Sequence, residues 1–275
     1  MLTDITLGQF FPGNSILHKL DPRTKLIMTF LFVVAIFTAK NIFCFALLFA
    51  AVLVFIALSG ISYKTIFKGL KPIVFVVLFT MILNVFLTKS DTEPLFQFKF
   101  ITVYEDGIWR ALYMAIRVII LVIGTSLFIS YTTSPIMLTD AIETMFSPLK
   151  KLKIPVHEFA MMMSIALRFI PTLIEETDKI MNAQKARGAD FANGSLIKRA
   201  KALIPVLVPL FVSSFKRAED LAMAMECRCY RGGKGRTRMT KLQFKGVDFG
   251  FMFVFIAIIV MVLLINIYVP LGYTI

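Results

Sequence analysis

The chain has 275 residues, of which 58% are hydrophobic and only 17% are charged, and its mean hydropathy is +0.80. Soluble domains average about 45–50% apolar and about 25% charged residues. This excess of apolar residues excludes an ordinary soluble protein and predicts an integral membrane protein. The net charge of +13 does not indicate a nucleic-acid-binding protein, because an excess of lysine and arginine is typical of the cytoplasmic loops of membrane proteins.

Long runs without charged residues predict the membrane-spanning helices, each of which needs about 20 apolar residues, with a range of about 17–25. Five runs reach or approach this length, and we therefore predict an all-α polytopic membrane protein with about five transmembrane helices: 26–39, 41–63, 72–88, 118–139 and 249–275. The first run is short. Asp21 and Pro22 provide a helix start before it, so Arg23 and Lys25 are expected to extend to the membrane surface. A re-entrant segment and a cleaved signal peptide are the alternatives for this run.

The basic residues of the short loops predict the orientation, because cytoplasmic loops carry more lysine and arginine. A cytoplasmic N-terminus places six basic loop residues inside and three outside: Lys19, Arg23, Lys25, Lys64, Lys68 and Lys71 against Lys40, Lys89 and Lys99. The C-terminus, with the uncharged tail 270–275, is then outside. Residues 96–104 alternate in polarity and predict an extracellular loop or a short hairpin. Arg117, near the outer end of the fourth run, is expected to extend to the membrane surface.

Most of the net charge lies between the fourth and fifth predicted spans. Residues 150–245 contain 19 Lys or Arg and 8 Asp or Glu, which is +11 of the total. We therefore predict a basic cytoplasmic region at 148–248, between a membrane region at 1–147 and a last transmembrane helix at 249–275. Its apolar stretches 159–167 and 202–215 are too short to be confident spans. Such stretches are typical of helices that lie on the membrane or pack against partner proteins.

Two predicted helices in this basic region end in a similar way. The first is expected to begin at Pro171 and the second after Pro209. Their ends are Ala186, Arg187 and Gly188 in the first helix, and Cys227, Arg228 and Cys229 in the second, followed by Arg231 and Gly232. A cation and a glycine at a helix end are ordinary capping residues. Two such ends in one basic region also favour a second interpretation, in which two arginine tips bind two similar acceptor sites.

The sequence resembles the transmembrane T component, EcfT, of energy-coupling factor (ECF) transporters, which are ABC importers. The resemblance covers nearly the whole chain and is strongest in five stretches: 8–15, 18–26, 167–171, 183–191 and 218–226. It implies a multi-pass protein of the bacterial cell membrane that does not itself hydrolyse ATP. It also implies two kinds of partner, a pair of cytoplasmic ABC ATPase subunits and a membrane-embedded S component that captures a vitamin or a metal ion. ATP and Mg²⁺ are then expected in the ATPases, and this chain is expected to bind no cofactor directly.

The resemblance also implies roles for the two helix ends. Ala186, Arg187 and Gly188 match the first ATPase-coupling motif of the family, and Arg228 stands at the position of the second motif's arginine. There the sequence departs from the family pattern, because Cys227 replaces the expected alanine and Cys229 the expected glycine. A residue with a Cβ is disfavoured in the left-handed conformation that ends a helix. A helix continuing to Gly232 is therefore an alternative, in which Arg231 competes with Arg228 for the docking role.

The sequence disfavours two other classes of protein. An enzyme or self-powered pump would need a phosphate-binding loop of the form G-x-x-x-x-G-K-[ST], and the glycine-rich segment 232–237 does not match it. Three Cys and two His are too few and too scattered for a disulfide framework or a four-ligand zinc site. An independent secondary transporter or channel remains the alternative function. Such proteins usually carry buried ionisable residues within their spans, and the runs described above have almost none.

Overall fold

The computed structural model describes residues 10–88, 96–98, 101–191, 195–232 and 242–268. These residues form nine α-helices: α1 (Ile16–Lys19), α2 (Pro22–Thr38), α3 (Ile42–Ser59), α4 (Tyr63–Leu87), α5 (Glu105–Thr125), α6 (Pro135–Met145), α7 (Val156–Ala186), α8 (Leu196–Cys227) and α9 (Gly246–Tyr268). A π-helical turn, Ser126–Tyr131, continues α5, and a 3-10 helix, Ser147–Leu152, follows α6. The prediction of an all-helical membrane protein is confirmed. The uncharged tail 270–275 lies outside the described residues.

The described strands form one short hairpin between α4 and α5. Strand β1 (Phe96–Phe98) pairs antiparallel with β2 (Ile101–Val103), and Phe96 lies opposite Val103. The alternating sequence at 96–104 predicted this hairpin as one of two possibilities.

The chain divides into two compact units. The membrane unit comprises α1 to α5, the hairpin and α9, within residues 8–138 and 242–275. The second unit, within residues 139–241, contains most of α6 together with α7 and α8, and it is called the coupling unit after the role predicted for its two helix ends.

Five described helices are long and apolar enough to cross a membrane: α3, α4, α5 with its π-helical turn, α7 and α9. Two predicted boundaries were wrong. The fourth span begins at Glu105, and its helix ends at Tyr131 instead of continuing to residue 139. The reason is Pro135, which begins α6, since a proline disfavours helical geometry in the residue before it. The inclusion of α7 was not predicted, because the sequence analysis placed a helix start at Pro171.

Helix α2 has 17 residues, but its contacts show that it accompanies α9 along its length. At one end, the backbone N–H of Asp21 donates to Oδ1 of Asp248 over 2.8 Å. At the other end, Nδ2 of Asn266 donates to the carbonyl of Thr38 over 2.7 Å. The two helices are therefore parallel and lie side by side, although α2, the first predicted span, is not among the five described helices that are long and apolar enough to cross a membrane.

The hydrophobic core of the membrane unit contains a cluster of four aromatic rings from four segments. Phe32 of α2, Phe55 of α3, Phe128 of the π-helical turn and Phe255 of α9 are all buried. Phe55 stacks on Phe255 with ring centroids 5.2 Å apart, and Phe128 meets both rings edge-on at 5.4 Å. Stacked and edge-to-face pairs at these distances are favourable beyond the apolar area that they bury. The cluster therefore fixes the relative positions of these segments.

Gly124 of α5 permits this packing, since a Cβ at residue 124 would lie 2.0 Å from Cε1 of Phe32. We expect Gly124→Ala to destabilise the protein by about 1–3 kcal/mol, the usual effect of an overpacked core. The matched control is Gly250→Ala in α9, where an added Cβ meets nothing within 4 Å, and where alanine is the better helix former. Thermal unfolding in detergent compares the two variants. Equal unfolding temperatures would contradict the packing role of Gly124.

The first turn of α2 corrects one prediction, because Arg23 and Lys25 do not extend to the membrane surface. Lys25 is 2% exposed, and its Nζ donates to the carbonyl of Thr132 over 2.7 Å. Arg23 donates to both carboxylate oxygens of Asp21, and its guanidinium lies 4.2 Å from the ring centroid of Phe244. Buried charges of this kind are retained when partners satisfy them. Thr132 and Phe244 come from distant parts of the sequence, so the local pattern did not indicate them, whereas Asp21 is only two residues from Arg23.

Arg117 binds a specific backbone group at the corner between α2 and α3. Its Nη2 donates to the carbonyl of Ala39, which ends α2, over 3.2 Å, and its guanidinium lies 5.5 Å from the ring centroid of Phe45. Asn266 binds the same corner between α2 and α3 through Thr38 and the N–H of Lys40. Unpaired backbone groups are costly where water is excluded. The two side chains therefore satisfy the backbone at this corner.

Candidate functional site

The two helices that carry the predicted arginine tips are longer than the sequence indicated. Helix α7 contains Pro171 in its interior, and α8 contains Pro205 and Pro209. The predicted starts at Pro171 and after Pro209 were therefore wrong. A proline removes one backbone N–H from the hydrogen-bond ladder of a helix. In helices of 31 and 32 residues, the turns on both sides of each proline maintain the helix.

The end of α7 has the geometry of a Schellman cap. The N–H of Gly188 donates to the carbonyl of Lys185 over 2.9 Å, and that of Ala189 donates to the carbonyl of Gln184 over 3.0 Å. Gly188 has a φ of +88°, the left-handed conformation that this cap requires. Arg187 is consequently the last, half-helical residue, and its side chain projects from the end of the helix.

The end of α8 repeats this geometry. The N–H of Cys229 donates to the carbonyl of Glu226 over 2.8 Å, and that of Tyr230 donates to the carbonyl of Met225 over 3.0 Å. Cys229 has a φ of +55°, so a cysteine adopts the left-handed conformation that usually favours glycine. Arg228 thus occupies the capping position that Arg187 occupies in α7.

The alternative of a helix that continues to Gly232 is wrong. Helix α8 ends at Cys227, and Arg231 lies beyond the cap instead of within it. The Cβ of Cys229 disfavours the left-handed conformation by an amount that the two cap hydrogen bonds offset, because they satisfy carbonyls that the helix end would otherwise leave unpaired.

All seven predicted coupling residues are exposed: Ala186, Arg187, Gly188, Cys227, Arg228, Cys229 and Arg231. Within the described part of the chain, no salt bridge or side-chain hydrogen bond engages the guanidinium of Arg187 or that of Arg228. Arg23 and Arg217, in contrast, each bind a carboxylate. A free guanidinium presents a planar set of donors that matches a carboxylate in a bidentate pair. Each helix therefore presents a cation that is available to a partner.

A contact between polar side chains of α7 and α8 was not predicted from the sequence. Nη2 of Arg217 in α8 donates to Oε2 of Glu176 in α7 over 2.7 Å, and the hydroxyl of Ser213 donates to Oε1 of Glu176 over 2.5 Å. Nearer the tip of α7, Nε2 of Gln184 donates to the carbonyl of Pro205 over 3.4 Å. In the sequence, Glu176 and Arg217 differ from other pairs only in carrying opposite charges, and they are 41 positions apart. No local pattern therefore predicted this contact.

The three cysteines have two different environments. Cys227 and Cys229 are exposed on either side of Arg228. Cys44 is buried in α3, where its thiol lies 3.3 Å from Oδ1 of Asn266. The described residues contain no group of three or more His, Cys, Asp or Glu side chains placed to hold a metal ion.

Comparison with known proteins assigns the chain to a family. Residues 13–240 match the family model CbiQ, described as a cobalt transport protein. The chain is 53% identical over 249 residues to the energy-coupling factor transporter transmembrane protein EcfT of Clostridium kluyveri, covering 90% of this chain and 92% of the relative. It is 50% identical over 248 residues to the protein of the same name from Bacillus subtilis, covering 90% and 93%. The chain therefore belongs to the EcfT family and is a multi-pass membrane component of an energy-coupling factor transporter.

Proposed function

We propose that this chain is the scaffold of an ECF-type ABC importer and transmits ATP-driven motion between its partners. Arg187 and Arg228 each dock on one of two cytoplasmic ABC ATPase subunits. Closure of the ATPase pair on ATP and Mg²⁺ moves α7 and α8, and this movement reorients a membrane-embedded S component that carries a vitamin or a metal ion. The chain itself neither hydrolyses ATP nor binds a cofactor.

This proposal depends on the observation that the two helix ends have the same geometry. Both end in a Schellman cap, both place an arginine at the capping position, and neither guanidinium has a partner among the described residues. A single exposed arginine at a helix end is adequately explained by the helix dipole. Two equivalent cations fit two equivalent acceptors, and a pair of similar ATPase subunits related by a two-fold axis provides them.

The course of the chain supports a cytoplasmic position for the coupling unit. Helices α2 and α9 are parallel and begin at the same end of the membrane unit, where Asp21 binds Asp248. If α2 to α5 cross in succession, the chain returns after α5 to the side on which α2 began, and α9 also begins there. Because the chain is on this side both before α7 and at the start of α9, α7 and α8 either both cross the membrane or both remain on this side. The basic composition of 150–245 favours the cytoplasm for that side, and with it a cytoplasmic N-terminus.

The native cysteines test the docking of the second tip. In the chain bound to its ATPases, we expect Cys227 and Cys229 to react at least about tenfold more slowly with a maleimide than in the chain alone, because a docked partner covers the exposed thiols on both sides of Arg228. The measurement is mass spectrometry of the labelled peptides. Cys44, which is buried, serves as the internal control and should remain unlabelled in both samples. Equal labelling of Cys227 and Cys229 with and without the ATPases would contradict docking at this tip.

Affinity purification of the tagged chain in mild detergent tests the proposal as a whole. We expect two ABC ATPase subunits and a small hydrophobic membrane protein to purify with it, and we expect the material to hydrolyse ATP. Recovery of the chain alone, under conditions that preserve a known ECF complex, would contradict the proposal. The two arginines would then be ordinary helix-capping residues.

A further inference from the structure

Helices α7 and α8 are joined by a closed set of three polar side chains, in addition to the hydrogen bond from Gln184 to Pro205. Glu176 accepts from Arg217 through one carboxylate oxygen and from Ser213 through the other. Nε of Arg217 also donates to the hydroxyl of Ser213 over 3.4 Å. The Glu176 side chain is 21% exposed and that of Arg217 is 38% exposed. We call these three residues the crossing triad.

The crossing triad is equally far from the two arginine tips. Glu176 precedes Arg187 by 11 residues, and Arg217 precedes Arg228 by 11 residues. With a rise of 1.5 Å per residue, each arm of helix is about 16 Å long. Eleven residues also make about three full turns, so each member of the salt bridge lies on nearly the same face of its helix as the tip that follows it.

The second contact shows that the two arms extend in opposite directions. From Glu176 to Gln184, α7 advances towards its tip, while its contacts on α8 move from Ser213 back to Pro205, away from the tip of α8. The helices are therefore antiparallel at the crossing. Arg187 and Arg228 accordingly lie at opposite ends of a cross-piece that has the triad at its middle.

We propose that Glu176, Ser213 and Arg217 are positioning residues that form the pivot of this cross-piece and set the separation of the two docking tips. The proposal rests on the proposed function. In a two-fold symmetric ATPase pair, the two docking sites are equidistant from the axis, and a pivot midway between the tips lies where that axis passes. Closure of the pair then moves both arms equally about one point.

A purely stabilising role for this salt bridge is disfavoured by its exposure. Partly exposed ion pairs contribute little to stability, because water screens them and ordering two long side chains costs entropy. The three hydrogen bonds that close the triad, from Arg217 and Ser213 to Glu176 and from Arg217 to Ser213, do contribute geometric specificity. Loss of the triad should therefore alter the separation of the tips far more than it alters unfolding.

Spin-label distances test the pivot directly. The labels are placed on native Cys227 and on Lys185→Cys, in a chain carrying Cys229→Ser; Cys44 is buried and remains unlabelled. From the arm lengths we expect a single narrow distance peak on the order of 30 Å. Glu176→Arg and Arg217→Glu each place like charges in contact at the crossing, and each should at least double the width of this peak. The double variant, which restores opposite charges, should recover the narrow peak.

The matched control is Lys216→Glu, which makes the same change of charge one residue away on an exposed part of α8 and should leave the distance peak unchanged. An unchanged distance peak in both single variants would overturn the pivot. A broad peak in the double variant would also overturn it, provided that this variant unfolds at the same temperature as the native chain. Purification of the native chain without ATPases would instead overturn the proposed function, and with it the role of the pivot, even if the peak behaves as expected. Purification with the ATPases and an unchanged peak would overturn the pivot alone.

Discussion

Arg187→Ala is expected to weaken the binding of the ABC ATPases by about 30-fold to several thousand-fold. This range corresponds to the loss of about 2–5 kcal/mol that accompanies removal of one partner of a buried, hydrogen-bonded charge pair. In the proposed docking, removal of the guanidinium would leave an acceptor carboxylate of the ATPase buried and unpaired, while the Schellman cap of α7 is made by backbone groups and persists. The measurement is a binding titration of the purified ATPase pair against the chain in detergent.

Two variants at nearby positions separate docking from a general effect of charge. Lys201→Ala removes one positive charge from an exposed site in the first turns of α8 and should change the affinity by less than about twofold, since exposed charges are screened by salt. Arg187→Lys retains the charge but not the planar donors, so an intermediate affinity is expected. If Arg187→Ala and Lys201→Ala bind equally well, Arg187 has no docking role.

The second tip is expected to behave like the first. Arg228→Ala should weaken binding to a similar extent because Arg228 occupies the same position in an equivalent cap. Arg231→Ala is the matched control, since Arg231 is also exposed but lies outside the cap. A larger effect of Arg231→Ala than of Arg228→Ala would assign the second docking role to Arg231.

Asp248→Ala is expected to cause the largest loss of stability, about 3–5 kcal/mol, because it removes a buried, hydrogen-bonded charge. Asp248 is 1% exposed, and its carboxylate accepts the backbone N–H groups of Asp21 and Lys245 over 2.8 and 2.7 Å. It is also one of two carboxylates that supply negative charge near the buried ammonium of Lys25. Alanine would leave two N–H groups unsatisfied and Lys25 undercompensated.

Thermal unfolding in mild detergent is the measurement for this variant. At about 2–4 °C per kcal/mol for a chain of this size, the unfolding temperature should fall by roughly 6–20 °C. Asp248→Asn preserves the shape but presents an NH₂ donor to one of the two N–H groups, so most of the loss should persist. Glu219→Ala, on the exposed surface of α8, is the control for a missing carboxylate. A fall of less than about 2 °C for Asp248→Ala would contradict a structural role for this buried charge.

The sequence by itself was sufficient for the membrane character, the helical class and the two arginine-bearing helix ends. Each of these depends on residues close together in the chain. An uncharged run long enough to cross the bilayer identifies a span without knowledge of its neighbours, and Arg187 followed by Gly188 predicts a capped helix end from two adjacent residues. The same locality explains two errors: Pro171 was predicted to begin a helix but lies inside α7, and the uncharged run 118–139 took no account of Pro135, which begins α6.

Only the tertiary structure shows which residues that are distant in the sequence contact each other. Lys25 meets Thr132, Arg117 meets Ala39 and Glu176 meets Arg217 across separations of 107, 78 and 41 residues, and no local pattern indicates such pairs. It also decided where α8 ends, at Cys227 instead of near Gly232, because the left-handed conformation of Cys229 is stabilised by hydrogen bonds to the preceding turn. The physical reason is general: a residue's own preference sets what is locally favourable, and the partners that packing places beside it determine the conformation and charge that it retains.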